Sequence, residues 1–340
     1  MNIKDSSSLI DSNGRPYFGF HKQPIENINL QDYRPLGYSS AKSKNPRFFE
    51  KFRFKRWQFM GFSNSEIALA VAIVHSGFAS KLFGYLYNRK FPEIHEFTII
   101  SPMAKDTSFA GSSVDGEVNF KTKDGVARML NSRQGFTLET SVKNNLAADI
   151  NITRLKEPLV VVTRSGHKGF NYAHKEAGNF AEGKIHYKGS EWRLDTKTTF
   201  AFVDYTAGYL PRETYWSWAS GAGTDRGGRR IGFNFVNGIN ETAYTENCFW
   251  IDGALHRTGS ADIRFDDLDH FNPWRVFTEE KSVDLAFVPD GVHTEMTNYI
   301  IVKNNMYQGF GLYDGKIKSP GKVHEIKGMF GFAEDNYLKW

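Results

Sequence analysis

Two carboxylates extend runs of apolar residues at alternate positions, and they are the strongest candidates for chemistry in this sequence. Asp204 continues a series with a spacing of two through Trp192, Leu194, Phe200 and Phe202. Glu334 continues a shorter series of Phe330 and Phe332. Alternate residues of a strand share a face, so both carboxyl groups are predicted to point into apolar space. A buried carboxyl group without a partner holds a proton more readily, which makes each one a candidate acid or base. The alternative is a structural role, in which each pairs with an arginine such as Arg212 or Arg229, or caps a turn.

A cluster of aromatic residues lies close to the first of these carboxylates. Trp216 and Trp218 are two apart, so a strand places them on one face, with Tyr215 and Ser217 opposite. This face either packs into the core or forms an aromatic wall for an apolar or ring-shaped ligand. Glu246 in "YTENCFW" shares its parity with Trp250 and either joins such a wall or lies at its rim.

The remaining motifs do not indicate a metal or a cofactor. The ten histidines show no metal-ligand spacing, and "DDLDH" lacks the pattern of a calcium loop. "GAGTDRGGRR" is rich in glycine but lacks the Gly-Lys-Ser/Thr ending of a phosphate-binding loop, and no dinucleotide fingerprint is present. We interpret this stretch as a mobile loop that carries Arg226, Arg229 and Arg230. The single cysteine, Cys248, excludes an intrachain disulfide.

The elements that must position these residues are short strands. Segments such as "FTLETSV", "LAADINIT" and "SVDLAFVP" alternate apolar and polar residues, and Asp-Gly and similar pairs separate them. So many hairpin signals predict antiparallel sheet. Only residues 46–56 and 75–82 suit a short helix. About twenty strands exceed one small barrel, which predicts two barrels or curved sheets in tandem, with a break near residues 164–182.

Three features of the sequence bear on the location of the protein: one basic stretch, the length of the longest apolar run and the residues at the start. "RFFEKFRFKRWQF" (47–59) mixes arginine and lysine with aromatic residues, which suits an anionic membrane surface, a single-stranded nucleic acid or an ordinary solvated face. We expect peripheral membrane contact through residues 47–56 as one possibility, and no nucleic acid as partner. The longest apolar run, "IALAVAIV", is far shorter than the ~20 residues needed to span a bilayer. With no signal-peptide pattern at the start, the expected location is cytoplasmic.

The order of the motifs resembles a known family. "KRWQFMGF", "HSGFASKLFGYLYNR", "DYTAGYLPRETYWSWASG", "TENCFWIDGALHR", "PWRV" and "GFAEDNYLKW" resemble, in this order, the bacterial domain-of-unknown-function 2804 family. That family is more distantly similar to tandem lipocalin-like proteins, which include carotenoid hydratases, tocopherol cyclases and AttH-type proteins. The resemblance implies an all-β fold of two calycin-like antiparallel barrels. We place an extended N-terminal arm at residues 1–45, a first barrel at 46–175 and a second at 176–340.

These observations lead to three hypotheses for function. The first is a binder of an apolar small molecule or lipid in an aromatic-lined pocket of the second barrel. The second is an enzyme that acts on such a molecule by proton transfer, as a hydratase, cyclase or isomerase, with Asp204 or Glu334 as acid or base. The third is a carbohydrate-active β-protein, because tryptophan walls with two carboxylates also suit sugars. The expected ligand-binding residues are Tyr209, Arg212, Trp216, Trp218, Glu246 and Trp250; no cofactor and no metal are expected.

Overall fold

The protein is built almost wholly of antiparallel strands. The computed structural model describes residues 6–35, 51–143, 146–239, 242–298 and 302–340. Within these ranges helix is limited to two 3₁₀ turns, Leu30–Asp32 and Lys51–Arg53. The all-β prediction is therefore confirmed. The helix expected at 75–82 is wrong, because residues from Ala79 onward form a strand. Of the helix expected at 46–56, residues 46–50 lie outside the described residues, and a strand begins at Phe54.

The strands form two sheets that divide the chain in sequence order. The first sheet contains β1 (Gly19–Phe20), β2 (Phe54–Ser63), β3 (Ile67–His75), β4 (Ala79–Asn88), β5 (Glu93–Pro102), β6 (Thr107–Phe109), β7 (Gly116–Lys121), β8 (Gly125–Asn131), β9 (Gly135–Val142), β10 (Leu146–Thr153), β11 (Leu159–Ser165), β12 (Gly169–Tyr187), β13 (Ser190–Leu194) and β14 (Phe200–Tyr209). The second contains β15 (Glu213–Thr224), β16 (Arg230–Asn237), β17 (Cys248–Ile251), β18 (Ala254–Arg257), β19 (Ala261–Arg264), β20 (Trp274–Thr278), β21 (Val283–Asn298), β22 (Lys303–Ser319) and β23 (Lys322–Lys339).

Both sheets curl like barrels, and most neighbours in sequence are paired in space. The long path of the first sheet runs β5-β4-β3-β2-β14-β12-β10-β9-β8-β7-β6, and the second runs β18-β17-β16-β15-β23-β22-β21-β20-β19. Hairpin turns enforce this order. In the turn between β17 and β18, Asp252 has a φ of 52° and Gly253 a φ of 88°. Positive φ at both central residues is the signature of a type I′ turn, which matches the twist of the flanking strands.

The described residues form three apolar cores. One lies inside the first sheet and includes Leu69, Val71 and Leu138, and another lies inside the second sheet and includes Phe233, Phe287 and Tyr313. The third lies between the two sheets, because the opposite faces of both sheets are also apolar. It contains, among others, Phe59, Ala72, Phe202, Trp218, Phe310 and Phe332.

The N-terminal segment 6–35 packs against the first sheet. β1 pairs with β11, and Leu9, Ile25 and Leu30 are buried in the core of that sheet. The sheets part between Tyr209 and Glu213, because β14 ends the first and β15 begins the second. This is later than the expected division at 175 and 176, which falls inside β12. The reason is that β12 runs as one strand of 19 residues through the glycine-rich stretch that suggested a break.

Part of the basic stretch lies inside the protein instead of on its surface. Residues 47–50 lie outside the described residues. Lys55 is only 2% exposed, and its ammonium donates hydrogen bonds to the carbonyl oxygens of Phe52 and Ser76. Burial, together with the nearby charges of Arg53 and Arg212, lowers the pKa of Lys55 to about 7. Lys55 is therefore not available for contact with a membrane.

Candidate functional site

The candidate site is a cavity of about 360 Å³ between the two sheets. The first sheet contributes β2, β3, β4, β5, β12 and β14, and the second contributes β15, β16, β21, β22 and β23. Most of its wall is apolar and aromatic, including Trp57, Phe59, Ala72, Phe83, Trp216 and Trp218. The volume falls in the range of about 300–1,000 Å³ that is typical of small-molecule sites.

The first sheet supplies an ion-paired lysine to this cavity. Lys175 on β12 and Asp204 on β14 are directly opposite each other in the strand register, so their side chains share a face. The Lys175 ammonium donates to the Asp204 carboxylate and lies 3.2 Å from a carboxylate oxygen of Glu246. Thr206 donates to Asp204 at 3.0 Å, and Asn171 donates to Glu246 at 2.9 Å. Asp204 is thus paired with a lysine instead of Arg212 or Arg229.

The charges of this group hold one another in place. The exposed fractions of the side chains are 6% for Lys175, 13% for Asp204 and 2% for Glu246. Although burial alone would lower it, the two neighbouring carboxylates raise the pKa of Lys175. One cation between two carboxylates leaves a surplus of one negative charge beside the cavity.

The second sheet supplies a carboxyl group that is surrounded by neutral donors. Glu334 on β23 is opposite Trp218 on β15 and opposite Gln308 on β22 in the strand register. Trp216 Nε1 donates to Glu334 Oε1 at 2.8 Å, and Gln308 Nε2 donates to Oε2 at 2.6 Å. Asn336 donates to Oε1 at 3.1 Å. A carboxyl group offers about four lone-pair positions, so three donors leave room for one proton or one ligand group.

Burial raises the pKa of the Glu334 carboxyl group, so it holds its proton up to a higher pH than an exposed glutamate does. Desolvation raises the pKa of Glu334 above its ordinary value, and the charge of Asp204 raises it further. The hydrogen bonds from Asn336, Gln308 and Trp216 act in the opposite direction without cancelling this effect. The cavity therefore combines a carboxyl group with a raised pKa, Glu334, and a second one, Asp204, that is hydrogen-bonded to an ammonium group.

Aromatic rings frame both carboxyl groups. Trp57 of the first sheet stacks on Trp216 of the second, with ring centroids 5.6 Å apart and planes inclined by 12°. Trp57 Nε1 also lies 3.5 Å from Asp204 Oδ2. Trp218 stacks parallel to Phe332 at 6.2 Å, and Phe59 meets Trp218 edge to face. The rings of the two sheets thus interlock across the cavity.

The structure brings five of the eight predicted site residues to the cavity. These are Asp204, Trp216, Trp218, Glu246 and Glu334.

The other three predicted residues lie elsewhere. Tyr209 packs in the core of the first sheet beside Tyr33 and Phe54. Trp250 is buried, and its Nε1 donates to the carbonyl oxygen of Glu157 at 2.7 Å. Arg212 lies outside the cavity wall, where its backbone carbonyl accepts from the amide of Trp340.

The position of the cavity also differs from the expected one inside the second barrel. The interior of the second sheet is filled by its own core, which includes Phe233, Phe235, Trp274 and Phe287. Small barrels generally have interiors that side chains fill. The free volume arises between the sheets, where the Ala72 side of β3 faces β15 and β23.

The face predicted for Asp204 is correct for only part of its series. Phe200 and Phe202 pack in the core between the sheets, on the Asp204 side. Trp192 and Leu194 pack in the core of the first sheet instead. The reason is that residues 195–199 form a turn between β13 and β14, and a turn does not preserve the alternation of a strand.

Several polar residues of the site were missed, among them Lys175 and Gln308. Lys175 alternates with Asn171, Ala173 and Ala177 along β12, and Gln308 alternates with Met306 and Phe310 along β22. A polar residue in an otherwise small or apolar series was the available signal, the same one that identified Glu334.

The site shows no arrangement for a metal. Among the described residues, no group of three or more histidine, cysteine, aspartate or glutamate side chains is placed to hold an ion. Within the same ranges, neither 3₁₀ turn nor any other helical segment has the length and apolarity to cross a bilayer.

Two curved antiparallel sheets that enclose a cavity between them form a tandem lipocalin-like fold. The chain belongs to the family described as domain of unknown function DUF2804, whose model matches residues 1–340. No curated protein matches it by sequence.

Solved structures confirm the fold. The chain is similar to CghA and to kievitone hydratase from Nectria haematococca, each with 9% sequence identity and a TM-score of 0.53, over 84% of this chain and 88% of the other. It is also similar to an AttH-type protein from Nitrosomonas europaea, with 12% identity and a TM-score of 0.52, over 89% of this chain and 98% of the other. These likenesses establish the arrangement of the sheets.

Proposed function

We propose that the cavity between the sheets binds a largely apolar small molecule, and that Glu334 donates a proton to it. The observation that carries this proposal is a buried carboxyl group with a raised pKa in an apolar wall. A general acid works best when its pKa lies near the working pH, and burial is a common means of raising a glutamate into that range.

The second carboxyl group supplies the complementary role. In a hydration, the Glu334 proton forms a new C–H bond with one carbon of a C=C bond. The oxygen of a water molecule bonds to the neighbouring carbon, and the proton that this water loses passes to the Asp204 carboxylate. Exchange with solvent then returns a proton to Glu334 and removes one from Asp204. In an isomerisation, Asp204 instead accepts a proton from a substrate carbon while Glu334 supplies one to another.

The wall of the cavity defines the substrate class. Trp57, Trp216 and Trp218 offer flat apolar surfaces, which suit a ring-containing or branched hydrocarbon skeleton. A sugar would need hydrogen-bonding partners for several hydroxyl groups, whereas the main buried polar groups of this cavity are bonded to one another. Lys175 is bonded to Asp204, and Glu334 accepts from Trp216, Gln308 and Asn336. One structural neighbour is named as a hydratase, kievitone hydratase, which agrees with the proposed class of reaction.

Binding without chemistry is the second candidate function. The cavity alone supports it, because an apolar pocket of this size is sufficient for a carrier. Contact of residues 47–56 with an anionic membrane stays a prediction, now limited by the burial of Lys55.

Solvent deuterium tests the proposal and finds the substrate in one experiment. The protein is incubated in D₂O with an apolar metabolite extract from cells that produce it, and the extract is then analysed by mass spectrometry. We expect one compound to gain carbon-bound deuterium with the wild type. With Glu334→Gln we expect the labelling rate to fall by about 10²–10⁴-fold, the usual contribution of a general acid.

Two further variants separate binding from chemistry. Ala72→Leu adds side-chain volume to the cavity wall, so we expect it to reduce both co-purification of the compound and labelling. Trp250→Phe alters a tryptophan outside the cavity and is the matched control. A compound that co-purifies with wild type and Glu334→Gln alike, but gains no deuterium with either, would support the carrier and reject the acid.

A further inference from the structure

A second group of reactive side chains lies at the far end of the second sheet. His324 Nδ1 lies 2.8 Å from Asp225 Oδ2, and His324 Nε2 lies 3.0 Å from Ser319 Oγ. An aspartate, a histidine and a serine are thus joined in one chain of hydrogen bonds. In serine hydrolases the same order of contacts activates the hydroxyl group.

The protonation pattern follows from the chemistry of the three groups. Burial alone would raise the pKa of Asp225, but hydrogen bonds from His324 and from the Arg229 backbone lower it below its usual value. The ionised carboxylate only accepts, so Nδ1 of His324 carries the hydrogen of that bond. In the neutral imidazole Nε2 is then the acceptor, and the hydroxyl of Ser319 donates to it.

The surroundings match the three roles. The side chains of His324 and Asp225 are 1% and 3% exposed. Ser319 is only half-buried and ends β22 at the tight turn before β23. The second oxygen of Asp225 accepts from the backbone amide of Arg229 at 2.8 Å, so the carboxylate is held in place. A fixed acid and base therefore lie beneath a hydroxyl group near the surface.

This group is separate from the cavity. His324 lies near the start of β23 and Glu334 near its end, a spacing of roughly 30 Å along an extended strand. Asp225 comes from the glycine-rich stretch "GAGTDRGGRR", to which neither cavity chemistry nor phosphate binding assigns a role. Its loop is fastened to β23, because the amide of Arg226 donates to the carbonyl oxygen of Glu325.

We propose that Ser319, His324 and Asp225 form a second reactive site, at which Ser319 is acylated by small carboxylic esters. Ser319 Oγ forms a bond to the acyl carbon while its proton passes to His324 Nε2. The bond between the acyl carbon and the alcohol oxygen breaks, and the proton passes from His324 to the departing alkoxide. Water, deprotonated by His324 in the same way, then releases the acid and restores the serine.

A fluorophosphonate probe tests the serine directly. Its phosphorus forms a bond to Ser319 Oγ, fluoride leaves, and the serine proton is taken up by His324 and released to solvent. We expect the folded wild-type protein to gain one adduct, which peptide mass spectrometry places at Ser319. Ser319→Ala should gain none. Asp225→Asn should label about 10²-fold more slowly or worse, because the histidine loses the carboxylate that orients it.

The matched control is Ser282→Ala. Ser282 lies at the neighbouring turn, and its hydroxyl contacts Thr278 and Glu280 instead of a histidine. We expect this variant to label at the wild-type rate, and thermal melts verify that each variant is folded.

Three results would overturn the proposal. One is the absence of an adduct on folded wild type, which is decisive even if a variant fails to fold. Another is an adduct spread over exposed groups such as Lys318 and Lys322. The third is a folded Asp225→Asn protein that labels as fast as the wild type. If wild type hydrolyses p-nitrophenyl acetate and Ser319→Ala does not, Ser319 also supports catalytic turnover of an ester and not only covalent labelling.

Discussion

Removal of the Lys175 ammonium group is the most informative perturbation of the cavity. Lys175→Met keeps the length and apolar stem of the side chain but leaves the carboxylates of Asp204 and Glu246 beside each other. Removing one member of a buried ion pair typically costs about 3–5 kcal/mol, because the remaining charge is uncompensated. Asp204→Asn leaves the pair of Lys175 and Glu246, so we expect a smaller loss of about 1–3 kcal/mol.

Thermal melts measure this difference. An unfolding entropy of about 2.1 cal/mol/K per residue over 340 residues gives about 0.7 kcal/mol/K. The melting temperature should therefore fall by about 4–7 °C in Lys175→Met and by about 1–4 °C in Asp204→Asn. Lys184→Met changes an exposed lysine on the same strand and is the control, with an expected effect within about 0.5 kcal/mol.

A neutral triple variant checks that charge is the cause. Lys175→Met combined with Asp204→Asn and Glu246→Gln leaves no uncompensated charge, so we expect it to recover most of the lost stability. If Lys175→Met is no worse than Asp204→Asn, or the triple variant is no better than Lys175→Met, the charge argument is refuted.

Three further predictions concern pH and packing. Folding raises the pKa of Glu334. Its contribution to stability is therefore present below pH 4.5 and is lost as the pH rises through the pKa of the folded state. The melting temperature of wild type relative to Glu334→Gln should fall from acid to neutral pH. Burial alone would raise the pKa of Glu295, but its partners His293 and Lys81 lower this pKa to about 2. The contribution of Glu295 to stability is therefore present above pH 4.5 and is lost as the pH falls toward 2. Glu295→Gln should flatten the acid-unfolding curve in that window. Gly232→Ala places a Cβ 2.0 Å from the carbonyl oxygen of Ala177, so denaturant unfolding should show a free energy of unfolding lower by about 1–3 kcal/mol or more. Gly111 has open space around it, so Gly111→Ala should change this free energy by less than about 0.5 kcal/mol.

Local alternation predicted the strands and one carboxylate well because these features depend on neighbours in sequence. Phe330, Phe332 and Glu334 lie on one uninterrupted strand, so their common face followed from a spacing of two. The same rule failed between Leu194 and Phe200, where a turn intervenes.

The alternation of residues along one strand does not predict which side chains meet between strands or between the two sheets. Lys175 and Asp204 are 29 residues apart in sequence and meet because of the register between β12 and β14, which no local pattern specifies. Trp57 meets Trp216 because two whole sheets pack together. Arg212 lies close to Asp204 in sequence, but closeness in sequence does not decide which side chain lies opposite in a sheet.

The location of the cavity follows from the sizes of the side chains on facing sheets. The face of β3 that meets the second sheet carries Ala68, Ala70 and Ala72, while the opposing strands carry Trp218 and Phe332. Large rings pack against these alanines, and Ala72 lines the cavity together with Glu334 and Gln308. Both sheets line the cavity: the ion pair of Lys175 and Asp204 comes from the first, and the carboxyl group of Glu334 comes from the second. A ligand there contacts both sheets at once, so its binding energy also favours their docking.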